Sequence, residues 1–311
     1  MTDPRARWLD PAWLAAAHQW VEEQLDKLDV VRVGEIQQPH VYPWSTVLKI
    51  PTSLGPVWFK ANGDSTKHEA GLVNLLASRR PDCVPALLAS AAERGWMLMP
   101  DAGMQLRALV AQERSLDRWL DVLRLYAEVQ VELADDVEAM LALGVPDLRL
   151  AALPEKYGQL MDQIDAEPRF RDAAPRVADL CHQLAGYGIS ETIQHDDLHD
   201  GQVFVREGRP LLLDWGDACV SHPFFTLSVT LEGVLAWGLD DVEDSVDITP
   251  FRDMYLGTYA QRYDADLVSA CRLAMRLGWA CRAVNGHVLG DDKQTIARLN
   301  MFLSGRPDGL Q

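Results

Sequence analysis

The sequence is short of positive charge. Lys and Arg number 29 against 46 Asp and Glu, a formal net charge of −17. A chain this acidic repels phosphate backbones and anionic lipid, so nucleic-acid and membrane partners are not expected, whereas cationic small molecules are compatible. No apolar run approaches the ~20 residues needed to span a bilayer. The first residues, Met1-Thr2-Asp3-Pro4-Arg5, lead into an amphipathic pattern and not into an apolar signal core. Cysteine is scarce: five residues, Cys83, Cys181, Cys219, Cys271 and Cys281, odd in number, widely spaced and without a CxxC. That usage reads as reduced thiols in a cytoplasmic protein. Internal repeats and low-complexity segments are also missing. What is present is 48% hydrophobic and 24% charged residues, which excludes a disordered chain. At ~150 residues per domain, 311 residues suggest two domains or lobes.

The pattern of elements changes along the chain. Residues 10–28 read as a helix that Asp10 caps and Pro11 starts, with Trp13, Leu14, Ala17, Trp20, Val21, Leu25 and Leu28 at helical spacing. Thr46–Ile50 and Val57–Ala61 read as strands around a turn of several residues over 51–56. A helix is predicted from about Ser65 to Ser78, then strands over 84–92 and 95–99, with 100–103 as a connection. Beyond it, helices are predicted over about 115–143, 151–165, 170–186, 223–238, 250–263, 266–286 and 293–304. A β-rich island over 191–214 interrupts them. The expected class is α+β, with a small β-rich N-lobe over 1–99 (N-terminal helix, small antiparallel sheet, one helix) and a larger helical C-lobe over 100–311.

The island carries the chemistry. Gln194-His195-Asp196-Asp197-Leu198-His199-Asp200-Gly201-Gln202 precedes a short apolar strand. A turn and a second strand lead to Asp214-Trp215-Gly216-Asp217. A hairpin of this kind brings the start of one strand near the end of the other, and so Asp197 and Gln202 near Asp214. Converging carboxylate and amide oxygens suit a hard divalent cation such as Mg²⁺. A further carboxylate, not consumed by metal, can accept a hydroxyl proton, which is the part list of phosphoryl transfer.

The stretch resembles the catalytic segment of the aminoglycoside phosphotransferase and choline kinase family, small-molecule kinases of the protein-kinase-like fold. His195-x-Asp197 matches the family's His-x-Asp-x-x-x-x-Asn, with Gln202 in place of the Asn. Asp214-Trp215-Gly216 stands where protein kinases have Asp-Phe-Gly. The resemblance implies a bilobal fold with a nucleotide-binding N-lobe, and a C-lobe with the catalytic loop, the metal site and the substrate cleft. It implies Asp197 as catalytic base, Asp214 and Gln202 as Mg²⁺ contacts, Lys60 on the α- and β-phosphates, and Glu69 as the partner of Lys60. It also implies Met97, Met99 and Asp101 along the adenine, Ser45 and Thr46 at the nucleotide, and ATP or GTP as donor. The protein-kinase glycine loop is absent, with Tyr42-Pro43-Trp44-Ser45-Thr46 in its place, and Asp196 occupies a position that is often Gly.

Other readings of the same residues stay open. His195 and His199 read as bracing residues of the loop sooner than as ligands, although the ligand reading stays open. Glu69 could face water. The acids Asp240, Asp241, Glu243, Asp244 and Asp247 read as a solvated surface or as a lure for a cationic substrate. A metal-dependent hydrolase using His195, Asp197 and His199 is the rival chemistry, although no second histidine cluster follows. A non-catalytic nucleotide-binding module is the other rival, and it would be expected to lose Asp197 or Asp214. The acceptor and the oligomeric state are not encoded in any motif.

Overall fold

A computed structural model describes residues 3–288 and 292–304; Met1, Thr2, 289–291 and 305–311 lie outside the described residues. The chain packs as two units, Met1–Met104 with Phe204–Gly216, and Gln105–Val203 with Asp217–Gln311.

The first unit is a helix on a sheet. Asp10 accepts the N–H groups of Ala12 and Trp13 at 2.9 Å, satisfying two orphan donors at the start of α1 (Pro11–Lys27). Then come β1 (Gln37–Val41), β2 (Ser45–Thr52), β3 (Gly55–Asn62), α2 (Glu69–Arg79), β4 (Ala89–Ala91) and β5 (Trp96–Pro100). The strands form one antiparallel sheet in the order β1-β2-β3-β5-β4. The period of two along β3 fixes the layers. Val57, Phe59 and Ala61 enter the apolar core with Leu48, Ile50 and Leu98, under Ala17, Val21 and Leu25 of α1. The rings of Trp13, Trp20 and Trp96 surround Phe59 at 5.4–6.5 Å between centroids. Trp58, Lys60 and Asn62 therefore project from the opposite face.

The second unit is mostly helical. Its elements begin at β6 (Met104–Gln105), α3 (Leu106–Glu113), α4 (Arg118–Glu132), α5 (Val137–Ala142), α6 (Leu153–Gln163), α7 (Pro168–Asp172) and α8 (Ala174–Ala185). After β7 (Thr192–Gln194) and a loop, the chain forms the strands β8 (Val203–Arg206) and β9 (Arg209–Leu212), which from Phe204 on count with the first unit, and the second unit resumes with β10 (Cys219–Ser221). The unit closes with α9 (Thr249–Ala260), α10 (Leu267–Asn285) and α11 (Asp292–Ser304). α10 is its axis, packed on α6, α8, α9 and α11. A Cβ on Gly278 would collide with the Ser228 hydroxyl and lie 2.8 Å from the Phe225 carbonyl, so glycine lets α10 approach that segment closely. All five cysteines are free and buried. Among the described residues, no helix is long and apolar enough to cross a membrane.

The structure corrects several boundaries. The turn predicted over 51–56 is only Ser53-Leu54, because Pro51 and Pro56 oppose each other in the ladder and neither needs to donate there. The strand predicted over 84–92 shrinks to β4, after a segment interrupted by Pro81 and Pro85. α2 begins at Glu69, behind a 3₁₀ turn at Asp64–Thr66. The helix over 115–143 breaks into α4, a 3₁₀ turn and α5, and that over 170–186 splits between α7 and α8. The segment 223–238 is a 3₁₀ turn, a π-helical turn at Ser228–Val234 and another 3₁₀ turn. β1 escaped prediction because Gln37-Gln38-Pro39-His40-Val41 has no alternation; Pro39 is tolerated on this edge strand, where the pairing is irregular. The helix α3 was also missed. Within the island, β7 pairs with β10 and not with the hairpin strands.

One buried histidine gives a pH prediction. His222 is fully buried, and its Nδ1 accepts the Phe224 N–H at the head of a 3₁₀ turn. Burial pushes its pKa down to about 3. Between that value and the ~6.5 of an unfolded histidine, the unfolded chain binds the extra proton, so stability is lost as pH falls through this window. His222→Asn keeps a capping acceptor and removes the titration. The difference in unfolding free energy between pH 7 and pH 5, from urea titrations, should shrink by about 2 kcal/mol in the variant. An unchanged difference would refute the assignment.

Candidate active site

In the first unit three charged residues converge. Lys60, which faces Val47 and Met97 across β3's neighbours, points its Nζ at Glu69 Oε2, 2.7 Å, and Asp214 Oδ1, 2.5 Å. Glu69 does not face water: it is buried, and it also accepts from Asn62 Nδ2 at 2.8 Å and from the Trp215 N–H at 3.0 Å. Burial alone would lower the Lys60 pKa, but the charges of Asp214 and Glu69 outweigh it and raise it, so the ammonium stays charged. Burial pushes the Glu69 carboxyl up, against the pull of Lys60. Asp214 has a left-handed backbone, φ 62°, and a half-exposed carboxylate.

The residues expected along the nucleotide are engaged in the sheet and its turns. The Thr46 hydroxyl, fully buried, donates to the His40 carbonyl and accepts from Gln38. The Ser45 carbonyl closes the β1–β2 turn by accepting the Tyr42 N–H at 2.8 Å. Met97 is buried on β5, Met99 lies opposite Trp58, and the Asp101 carboxylate accepts from Trp58 Nε1 and from the Gly103 N–H. Gly103 has φ 92°, and a side chain there would strike the backbone of Val205. Asp101 thus shapes the connecting segment through its side chain.

In the second unit the loop 195–202 is held from several sides. His195 is fully buried, and its N–H donates to the Tyr126 hydroxyl of α4 at 2.8 Å. The Leu198 carbonyl accepts from Thr230 of the π-helical turn. The Gly201 N–H lies against His199 Nδ1 at 2.9 Å, and His199 Nε2 lies 3.7 Å from Asp197 Oδ2. Arg107 holds the Asp200 carboxylate at 2.7 Å. Burial pushes that carboxyl up, but the contacts from His199 and Arg107 win and bring it to about 2. The Gln202 N–H closes the loop on the His199 carbonyl. The histidines therefore brace, and among the described residues no three His, Cys, Asp or Glu side chains converge as a metal-binding group. Asp214 offers carboxylate oxygens and Gln202 an amide oxygen, each by itself the hard donor type that Mg²⁺ takes. The acidic run is exposed, and Asp240 pairs with Arg114.

Sequence reasoning missed three residues around the loop. Arg282 and Asn285 of α10 bind the acids beside it, and Asp217 receives both. The available signal was an arginine at an apolar position: Cys271, Met275, Gly278 and Arg282 share one buried helix face.

The Lys60 centre makes a stability prediction. Removing one partner of a buried pair leaves an uncompensated charge, at a cost of about 3–5 kcal/mol, whereas replacing both with apolar groups costs far less. Glu69→Leu leaves Lys60 with Asp214 as its partner and should cost part of this in urea titrations, and adding Lys60→Met should recover at least about 1 kcal/mol of the loss. Additive losses would mean that the two charges are independent.

Comparisons with known proteins accord with this geometry. The sequence model of the phosphotransferase enzyme family (APH) matches residues 46–273, well over half of the chain. No curated protein matches in sequence. Among solved structures, a Plasmodium vivax ethanolamine kinase is similar at 10% identity, covering 94% of this chain and 89% of its own, with a TM-score of 0.64. The GDP and kanamycin complex of APH(2")-IIia is similar at 15% identity, with coverages of 92% and 97% and a TM-score of 0.61. The choline kinase LicA from Streptococcus pneumoniae follows at 13%, 93%, 98% and 0.60. These likenesses bear out the α+β, protein-kinase-like fold expected from the catalytic segment. A family match that runs through both the Lys60 centre and the Asp197 loop places this chain in the phosphotransferase enzyme family.

Proposed function

We propose that the protein transfers the γ-phosphate of ATP, with GTP as the other candidate donor, to a hydroxyl of a small amine-bearing molecule. The observation that carries this reading is the ion-paired Lys60, held by Glu69 and Asp214 in a chain that also keeps Asp197 on its loop. In the first unit Lys60 would contact the α- and β-phosphates, with Ser45, Thr46 and the segment from Met97 through Met99 to Asp101 lining the nucleotide. In the second unit Asp197 would orient the acceptor hydroxyl and take its proton late in a loose transition state. Asp214 and Gln202 would hold Mg²⁺, which when bound neutralises phosphate charge. Kanamycin, ethanolamine and choline, named with the similar structures, are all cationic, and the −17 charge of this chain favours the same class. The acceptor class is thus an amino alcohol, an amino sugar or an aminoglycoside-like antibiotic, and in the last case the activity would confer resistance. The free cysteines suit a cytoplasmic site of action.

A coupled nucleotide-consumption screen over hydroxylated amines and antibiotics tests the reading directly. Asp197→Asn should keep its nucleotide affinity within about twofold and lose more than nine-tenths of kcat, over ~1.4 kcal/mol of transition-state stabilisation. Retention of more than a tenth of kcat would remove Asp197 from the role of base.

Gln202 supplies a second test. Its amide oxygen reaches about 1.5 Å further than that of the family's Asn, and Mg²⁺ tolerates little displacement from octahedral geometry. Its backbone is tied to His199, which limits compensation by the loop. Gln202→Asn should lower the Mg²⁺ concentration for half-maximal activity at fixed ATP. A higher requirement in the variant would show a loop built around Gln202.

A further inference from the structure

Arg282 is buried in α10, yet its guanidinium gathers three carboxylates around the loop. Nη2 lies 2.5 Å from Asp197 Oδ1, and Nη1 lies 3.3 Å from Asp196 Oδ2 and 3.6 Å from Asp217 Oδ2. Burial would lower the Arg282 pKa, but the three acids outweigh it, so the group stays charged. One turn on, Asn285 donates to Asp196 Oδ2 at 2.8 Å and to the Asp217 carbonyl at 2.6 Å.

The distribution of these contacts is informative. Asp196 is the acid that burial penalises: it is 1% exposed, and burial raises its pKa to about 6 against the pull of Arg282 and Asn285. It already accepts from Gln194 Nε2 at 2.7 Å and from Asn285. The Asp197 side chain is one-quarter exposed and has far less need of a counterion for burial. The shortest arm of the guanidinium nevertheless goes to Asp197. A buried ion pair is a poor device for stability, since apolar side chains of similar volume serve as well. As a rigid fork it is a good device for fixing the rotation of a carboxylate. Asp196 contributes to the same end. Its backbone is left-handed, φ 62°, a conformation that suits the Gly often found there, and its bound side chain locks that bend directly before Asp197.

We propose that Arg282 is a positioning residue for phosphoryl transfer, which holds Asp197 by Oδ1 so that Oδ2 is presented to the acceptor hydroxyl. The inference rests on the reading of Asp197 as the base. It assigns Arg282 no contact with substrate or nucleotide. Its loss should therefore lower turnover and leave nucleotide binding intact, since a misplaced base costs on the order of 10²-fold.

The test measures ADP release from Mg·ATP, with water as the acceptor and again with any acceptor from the screen, beside ATP affinity by calorimetry. Arg282→Ala should lose about 30- to 100-fold in kcat with ATP affinity within twofold, and guanidinium ion at sub-denaturing concentration should restore at least tenfold of it. Arg282→Lys keeps the charge without the fork and should lose about tenfold; it decides the matter if Arg282→Ala fails to fold. On an Asp197→Asn background, Arg282→Lys should cost no further turnover. A folded Arg282→Lys with wild-type kcat beside an inactive Asp197→Asn would overturn the positioning role alone. A fully active Asp197→Asn would instead overturn the base assignment beneath it. A loss of kcat that tracks a loss of ATP affinity and ignores guanidinium would reduce Arg282 to a structural strut.

Discussion

An ammonium group on a covered face of a sheet must be met by carboxylates, and the first unit is arranged around meeting this demand. The alternation of β3 commits Phe59 to the core beneath α1, and that same alternation commits Lys60 to the other face. α2 must then begin where Glu69 can reach it. The second carboxylate comes from 154 residues further along, in Asp214, and the adjoining Trp215 N–H completes Glu69. This explains why Phe204–Gly216 packs with the first unit although the sequence around it packs with the second. The chain returns because a buried lysine with one partner missing would be costly.

The second unit solves a different problem, the rigid support of an irregular loop, and does so with a buried polar hub. Gln130 is fully buried on α4; its Nε2 donates to the Tyr126 hydroxyl and to the carbonyls of Ile193 and Pro223. Its Oε1 accepts from the hydroxyls of Tyr255 and Tyr259 on α9. One amide thus ties α4, β7, the 223–225 turn and α9 together, and Tyr126 passes the constraint on to the His195 N–H. A fully satisfied network of this kind specifies a single arrangement more sharply than apolar packing does.

The parts of this protein that the sequence made legible are those governed by local periodicity and residue chemistry. Lys60 and Glu69 could be paired because the catalytic segment resembled a known family, the strand and the following helix supplying only their places, and Asp197 and Asp214 stood out because acids are poor neighbours for apolar strands. The α1 cap at Asp10 was readable for the same local reason. Arg282 was not, since its helix carries apolar residues at nearly every inward position and nothing local marks one arginine as aimed at an acid 85 residues earlier. The left-handed backbone of Asp196 was not legible because aspartate tolerates that conformation without requiring it; Gln194, Asn285 and Arg282, brought in by tertiary packing, hold its side chain there. The π-helical turn looked like an ordinary helix because its five-residue hydrogen-bonded period leaves little trace in a seven-residue stretch that mixes apolar and polar side chains.

The distribution of thiols gives the two units separate clocks. Cys83 is the first unit's one cysteine, whereas Cys181, Cys219, Cys271 and Cys281 belong to the second, and all five are buried. Burial also pushes the thiols of Cys181 and Cys271 up to about 12, which suppresses the reactive thiolate while the fold is closed. A thiol reagent therefore meets these sulfurs only when the surrounding structure opens, so modification of Cys83 reports the breathing of the sheet and modification of the other four reports that of the helices. The same chain thereby records, without any added label, whether its two halves open together or apart.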